Sequence, residues 1–247
     1  MFTRLLRDLF RNQTQRAEPS LSVVVNFYNN RREAGNTLYS LTRRYQQDCS
    51  DIPYEVIAVD NGSTEPLSEA AVSSFGPEFY YKFVQTKSVS PVEAINRACR
   101  DATGDQLLVM IDGAHILSPR ILRLVREAFD RFESPFVATV PFYLGPTKQN
   151  LSVQAGYNQQ VEDQLLQASE WKENGYRLYS VSASFADDSG GWYGQLFESC
   201  CFAMSKADYL AMGGFEERFQ SLGAVSSMWQ PTFRRTRSRG NRFTRTT

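Results

Sequence analysis

The sequence is poor in the residues that most hydrolytic and redox sites use. It contains one histidine, His115, and four cysteines among 247 residues. Cys200 and Cys201 are adjacent, which is a poor geometry for an ordinary disulfide, so the pattern favours a reducing, cytoplasmic location. With one histidine, a serine or cysteine nucleophile could be activated only by His115. Because no nucleophile-elbow motif is present, triad hydrolysis is unfavoured.

Several other motifs are missing. The first predicted strand is followed by Asn26-Phe27-Tyr28-Asn29-Asn30, without the Gly-x-Gly-x-x-Gly turn of a dinucleotide-binding domain. No Walker-type phosphate loop, no signal peptide and no apolar run of membrane-spanning length occurs. Basic and acidic residues balance at 27 each, so nucleic acid is not an expected partner. These absences argue against hydride transfer, P-loop chemistry and a membrane-spanning protein.

The two ends of the chain differ from its centre. Residues 2–11 combine a helical apolar stripe with arginines, which is typical of a helix lying on an anionic membrane surface. Docking of that helix against the protein's own body explains the pattern equally well. Residues 224–247 contain six arginines and no acid. We therefore expect an amphipathic helix and linker over 1–20, one domain over 21–223 and a basic, disordered tail over 224–247.

Between these ends, strand and helix patterns alternate. Alternation of this kind predicts an α/β domain with a largely parallel central sheet and flanking helices. Beyond Leu144 the sequence becomes polar with scattered aromatics, and we expect residues 149–195 to be partly irregular. The predicted strands cover residues 21–26, 54–59, 80–84, 106–111, 136–140 and 197–204, and helices cover 33–47 and 67–75 and begin near Ser90, Ser118 and Ser205.

Polar groups follow three of the predicted strands. Asp112 ends a run of five apolar residues, and Asp60 ends an earlier strand, so both belong at the carboxyl edge of the sheet, where open α/β sheets bind ligands. A solvated turn would explain either residue by itself. Together, Tyr28 for stacking, Asp60 and Asn61 for hydrogen bonds and Asp112 for a hydroxyl pair or a metal suit a nucleoside diphosphate.

Four segments carry a specific resemblance. LSVVVNFYNN, YEVIAVDNGST, INRACRDATGDQLLVMIDGAHILSP and CFAMSKADYLAMGGFEERF, in that order, resemble glycosyltransferase family 2, whose domain has the Rossmann-like GT-A fold. The resemblance implies inverting transfer of a sugar from a UDP- or GDP-sugar to a hydroxyl of a glycan or other acceptor. It also implies that Asp60 accepts a hydrogen bond from the base and that Asp112 opens an Asp-x-Asp motif for ribose and metal. The other implied nucleotide contacts are Asn26, Tyr28, Asn29, Asn61 and Asn96.

The chain departs from this pattern at the metal motif. Ala114 stands where the second aspartate would supply a ligand to magnesium or manganese, and a methyl group supplies none. Asp112 and His115 are the remaining candidate ligands, although a packing or hydrogen-bonding role for His115 is an alternative.

A second departure follows Gly-Gly-Phe-Glu-Glu-Arg-Phe. Family members continue into an acidic motif that supplies the catalytic base, but this sequence has no acid after Glu217. The change resembles a truncation or a shift of reading frame. Glu216, Glu217 and Glu198 are the remaining candidate bases. Two alternatives to an active transferase therefore stay open: a catalytically impaired nucleotide-binding relic of the same fold, and a membrane-associated scaffold.

Overall fold

The fold was analysed in a computed structural model that describes residues 20–86, 88, 90–184 and 200–218. The predicted N-terminal helix, Glu198 and the predicted basic tail lie outside these residues. Within them, no helix is long and apolar enough to cross a membrane.

The strands of the described residues are β1 (Leu21–Phe27), β2 (Tyr54–Asp60), β3 (Phe79–Phe83), β4 (Gln106–Met110), β5 (Val137–Ala138), β6 (Phe142–Leu144), β7 (Ser182–Ser184) and β8 (Cys201–Ser205). Six of them form one sheet, in the order β3-β2-β1-β4-β8-β5. The first four strands of that order are parallel, whereas β8 runs antiparallel to both β4 and β5. This arrangement confirms the predicted, mostly parallel α/β sheet.

Helices cover both faces of the sheet, which explains why its central strands are apolar on both sides. The α-helices of the described residues are α1 (Ala34–Tyr39), α2 (Glu69–Ser73), α3 (Val92–Asp101), α4 (Ile121–Arg131), α5 (Gln149–Gln154), α6 (Gln159–Ser169) and α7 (Lys206–Ala211), with a 3-10 helix over Gly175–Val181. Residues of α1, α2 and α4 pack on one face with Val23 and Val25, and residues of α3 and α7 pack on the other with Val24.

The prediction of a long helix over residues 33–47 is wrong in its extent. The α-helix ends at Tyr39, and turns follow it. The Ser40 hydroxyl donates to the Thr37 carbonyl at 2.7 Å, and the Thr42 hydroxyl donates to the Tyr39 carbonyl at 2.8 Å. Such local side-chain bonds offer the backbone an alternative to continued helix.

Of the predicted irregular region 149–195, residues 149–184 are described, and they are more regular than expected. The helices α5 and α6, the 3-10 helix and the antiparallel pair β6–β7 form a small unit beside the main sheet. The unit is anchored by Trp171, whose ring lies 5.4 Å from those of Tyr39 and Tyr45 in edge-to-face contacts. Its main helix was missed because α6 is mostly polar, with only Leu166 and Ser169 buried.

Candidate functional site at the carboxyl edge of the sheet

The ends of β1, β2 and β4 come together at one edge of the sheet. Asp60 pairs with Phe27 in the parallel register, and Gly113 follows the neighbouring β4. A side chain at Gly113 would lie 2.2 Å from the Phe27 ring and 2.9 Å from the Asn26 carbonyl oxygen. Glycine therefore lets the loop after β4 lie directly against the end of β1. The Thr37 hydroxyl holds the loop there by donating to the Gly113 carbonyl at 2.6 Å.

Asp60 is fully buried and is used by the protein itself. One carboxylate oxygen accepts the Ser63 amide at 2.8 Å, and the other accepts the Leu67 amide at 3.2 Å. Tyr81 of β3 is a further neighbour: burial, together with the charge of Asp60 and a hydrogen bond to it, raises the pKa of Tyr81 to about 12. These contacts make Asp60 the organiser of the loop after β2, and its contact with the base stays a prediction.

The adjacent Asn61, unlike Asp60, has a side-chain oxygen that the described residues leave without a partner. Its side-chain nitrogen donates to the Ser90 carbonyl at 3.1 Å, but its side-chain oxygen is buried without a hydrogen-bond partner in the described part of the chain. Asn26 repeats the pattern, with its nitrogen donating to the Ile111 carbonyl at 3.2 Å and its oxygen buried and unpartnered. Both residues are at most 5% exposed. Buried acceptors of this kind are costly unless a ligand or water satisfies them.

The loop after β1 is joined to the loop after β2. Asn29 adopts the left-handed conformation with φ 56°, its amide donates to the Ser63 hydroxyl at 2.9 Å, and its side-chain oxygen accepts the Thr64 amide at 2.9 Å. Tyr28 is half-exposed at the start of this loop, and its amide donates to Asn30 at 3.0 Å. Asn29 thus fixes the shape of the loop that presents the Tyr28 ring.

Asp112 lies exposed in the loop after β4. One oxygen of its carboxylate accepts the Ala114 amide at 3.0 Å, and a ring nitrogen of His115 lies 3.2 Å from the Asp112 main-chain oxygen. Burial opposes the charge on His115, but a hydrogen bond to Cys200 and electrostatic interactions with Cys200 and Asp112 outweigh it and raise the pKa of the imidazole to about 9. The ring is therefore engaged by Asp112 and Cys200.

These residues do not fit a resident divalent cation. Among residues 20–86, 88, 90–184 and 200–218, no three His, Cys, Asp or Glu side chains are grouped so that they could hold one. Ala114 contributes no ligand atom, and one ring nitrogen of His115 already lies 3.2 Å from the Asp112 main-chain oxygen. The predicted pair Asp112 and His115 thus does not form a metal site in this structure.

The predicted nucleotide contact Asn96 is engaged by the loop after α7. It is buried on α3, where its nitrogen donates to the Phe215 carbonyl at 2.9 Å and its oxygen accepts the Phe215 amide at 2.9 Å and the Tyr209 hydroxyl at 2.6 Å. Its nitrogen also donates to Glu217 at 3.3 Å. Because both ends of the amide are occupied, Asn96 holds the loop after α7 and has little left for a ligand.

Two of the three candidate bases, Glu216 and Glu217, lie in this loop. Glu217 is exposed and lies 3.9 Å from the Arg100 guanidinium, whereas Glu216 forms a 2.9 Å ion pair with Arg218. Glu198 lies outside the described residues. Sequence patterns did not reveal the contributions of Tyr81, Ser63 or Thr37, because each acts through one contact with a residue distant in sequence.

The mostly parallel sheet with helices on both faces defines a domain of the GT-A type. The sequence profile of the family named Glycosyl transferase family 2 matches residues 22–210, so the chain belongs to that family. The predicted family membership is thereby confirmed.

Solved structures agree with the fold. The chain is 18% identical to S. aureus TarS 1-349 in complex with UDP, with a TM-score of 0.57, covering 92% of this chain and 57% of that one. It is also 18% identical to the mannosyltransferase PcManGT from Pyrobaculum calidifontis in complex with GDP-Man and Mn²⁺, with a TM-score of 0.54, covering 99% of this chain and 61% of that one. The chain thus spans about three fifths of these proteins. No curated protein matches its sequence significantly.

Proposed function

We propose that this chain transfers a sugar from a nucleoside-diphosphate sugar to a hydroxyl group of an acceptor, in the synthesis of a glycan or polysaccharide. The observation that carries the proposal is the pair of buried, unpartnered amide oxygens of Asn26 and Asn61 at the carboxyl edge of the sheet. Such oxygens are suited to accept N–H groups from a nucleobase. The complexes of the two solved relatives with UDP and with GDP-Man support a donor of this class.

Asn61 is the base-reading residue in this proposal, in place of Asp60. Asp60 already accepts two backbone amides, so a base would have to compete with the folded loop. The Asn61 oxygen has no such competitor among the described residues. A uracil or guanine ring stacked on Tyr28 would present a ring N–H as donor to the Asn61 oxygen. That hydrogen bond would satisfy an acceptor that is otherwise buried without a described partner.

Asp112 is the ribose-binding residue in this proposal. Its side chain is exposed at the same edge, and one of its oxygens accepts the Ala114 amide. Because this bond restricts the Asp112 side chain, less conformational entropy is lost when a ligand binds. A carboxylate accepts hydrogen bonds from a hydroxyl pair and forms stronger bonds than a neutral acceptor. Sugar transfer then requires attack of the acceptor oxygen on the anomeric carbon, departure of the nucleoside diphosphate and a base for the hydroxyl proton.

Glu216 and Glu217 are the described candidates for that base, and Glu198 remains a prediction. Glu217 is held by Asn96 and Arg100, whereas Glu216 forms an ion pair with Arg218. Inversion at the anomeric carbon is proposed from family membership. Peripheral membrane contact through residues 2–11 and a cytoplasmic location also remain predictions.

Two exposed tyrosines support a glycan as the acceptor. Tyr176 and Tyr179 lie one turn apart on the 3-10 helix, with ring centroids 6.4 Å apart and an interplanar angle of 19°. The small unit that carries them is tied to the loop after β1, where Arg32 donates to both Glu162 oxygens at 3.1 and 3.0 Å. Nearly parallel exposed rings suit the C–H faces of sugars, because the face of an aromatic ring is electron-rich.

Nucleotide titration tests the proposal. We expect UDP or GDP to bind in isothermal titration calorimetry, and the Asn61→Ala substitution to weaken that binding. Incubation with UDP- and GDP-sugars should then release nucleoside diphosphate. Ala114 favours one alternative, a nucleotide-binding relic, which would bind nucleotide but release none. Absence of binding to either nucleotide would contradict both.

A further inference from the structure

The loop Asp112-Gly113-Ala114-His115 has a geometry that bears on how the diphosphate is bound. The inference below rests on the proposed donor site. A GT-A domain that uses a metal needs protein oxygens that, with the phosphates, complete the coordination of Mg²⁺ or Mn²⁺. The relevant side chains are therefore those that the loop after β4 presents.

Asp112 can offer such a cation at most a partial contact. One of its oxygens is held by the Ala114 amide at 3.0 Å, within the same turn. Binding a cation through both oxygens would compete with that bond. Two residues further on, Ala114 is exposed and presents only a methyl group.

His115 does not replace the missing carboxylate. One ring nitrogen lies 3.2 Å from the Asp112 main-chain oxygen, and the ring also forms a hydrogen bond with Cys200. A metal would have to displace one of these partners. In the part of the chain that the structure describes, no third acidic, cysteine or histidine side chain joins the pair.

We propose that this chain binds the diphosphate of its donor without a resident divalent cation, and that the side chain at position 114 determines this. The proposal predicts a difference from the relative solved with GDP-Man and Mn²⁺. It also predicts that one carboxylate, placed at Ala114, would create a metal-dependent site, because it would add a second oxygen ligand on the exposed side of the turn.

Nucleotide affinity with and without metal tests both parts. UDP and GDP are titrated into the full chain in EDTA and in millimolar MnCl₂, and Mn²⁺ binding is followed separately by electron paramagnetic resonance. For the unmodified chain we expect dissociation constants that differ by less than about threefold, which corresponds to less than about 0.7 kcal/mol. For Ala114→Asp we expect manganese to tighten nucleotide binding by about tenfold or more, with a nucleotide-dependent Mn²⁺ signal.

Ala114→Asn is the matched control, since it has nearly the same volume without the charge, and we expect it to behave as the unmodified chain does. Tightening of about tenfold by manganese in the unmodified chain would overturn the proposal. An Ala114→Asp chain that gains no metal dependence would overturn the role of position 114. If neither nucleotide binds under any condition, the proposed donor site itself is wrong, and this inference falls with it.

Discussion

The Asn61 side-chain nitrogen donates to the Ser90 carbonyl at 3.1 Å, which joins the loop after β2 to the segment that leads into α3. This bond fixes the orientation of the amide, because only its nitrogen can face a carbonyl oxygen. The Asn61 oxygen consequently points away from Ser90 into a buried position without a described partner. A structural bond thus orients an acceptor for a ligand.

Replacement of Asn61 by alanine should weaken nucleotide binding. One hydrogen bond contributes about 0.5–1.5 kcal/mol, so we expect the dissociation constant for UDP or GDP to rise about two- to tenfold in calorimetry. Asn150→Ala, at an exposed position on α5, is the control and should leave affinity unchanged. Equal affinities for Asn61→Ala and the unmodified chain would show that the base does not use this oxygen.

Replacement of Asp60 by asparagine should act mainly on stability. The carboxylate accepts two backbone amides in a buried position, and hydrogen bonds to charged groups contribute about 1.5–3 kcal/mol each. Because an amide retains one acceptor oxygen, we expect a loss of about 2–3 kcal/mol in urea unfolding. Asp163→Asn, at an exposed position on α6, is the control. Unchanged stability combined with lost nucleotide binding would instead support a direct contact between Asp60 and the base.

Asn96 should likewise be a stabilising residue. Its amide oxygen accepts from Tyr209 and Phe215 and its nitrogen donates to Phe215, all in a buried position. Asn96→Ala leaves several of these groups unsatisfied, so we expect about 2–4 kcal/mol of destabilisation by urea unfolding. Tyr209→Phe, which removes one hydroxyl, should cost about 1 kcal/mol. Nucleotide affinity in the folded fraction should not change. Strong loss of nucleotide affinity without destabilisation would instead show that Asn96 contacts the nucleotide.

The sheet was predictable because buried parallel strands carry continuous apolar runs. β1, β2 and β4 were placed to within a residue or two, and the position of Asp60 and Asp112 at one edge follows from parallel topology. The roles of individual side chains were harder to predict from the sequence. Asp60, Asn61 and Asn96 are all polar residues in motifs, and their different functions depend on which of their atoms the protein already uses. Those partners come from distant segments, such as Phe215, 119 residues beyond Asn96.

The tyrosines of the 3-10 helix should contribute to acceptor binding. We expect Tyr176→Ala/Tyr179→Ala to reduce binding to immobilised oligosaccharides about fivefold or more, since stacked aromatic contacts contribute about 0.5–1.5 kcal/mol each. The double phenylalanine variant keeps both rings and should retain most of the binding. Tyr80→Ala removes a comparably exposed ring, 48% accessible, from β3 and should have no effect. Calorimetry with UDP and GDP should give the same affinity for all variants, because none of the proposed donor contacts involves either ring. If the alanine pair binds every oligosaccharide as the unmodified chain does, the acceptor is held elsewhere.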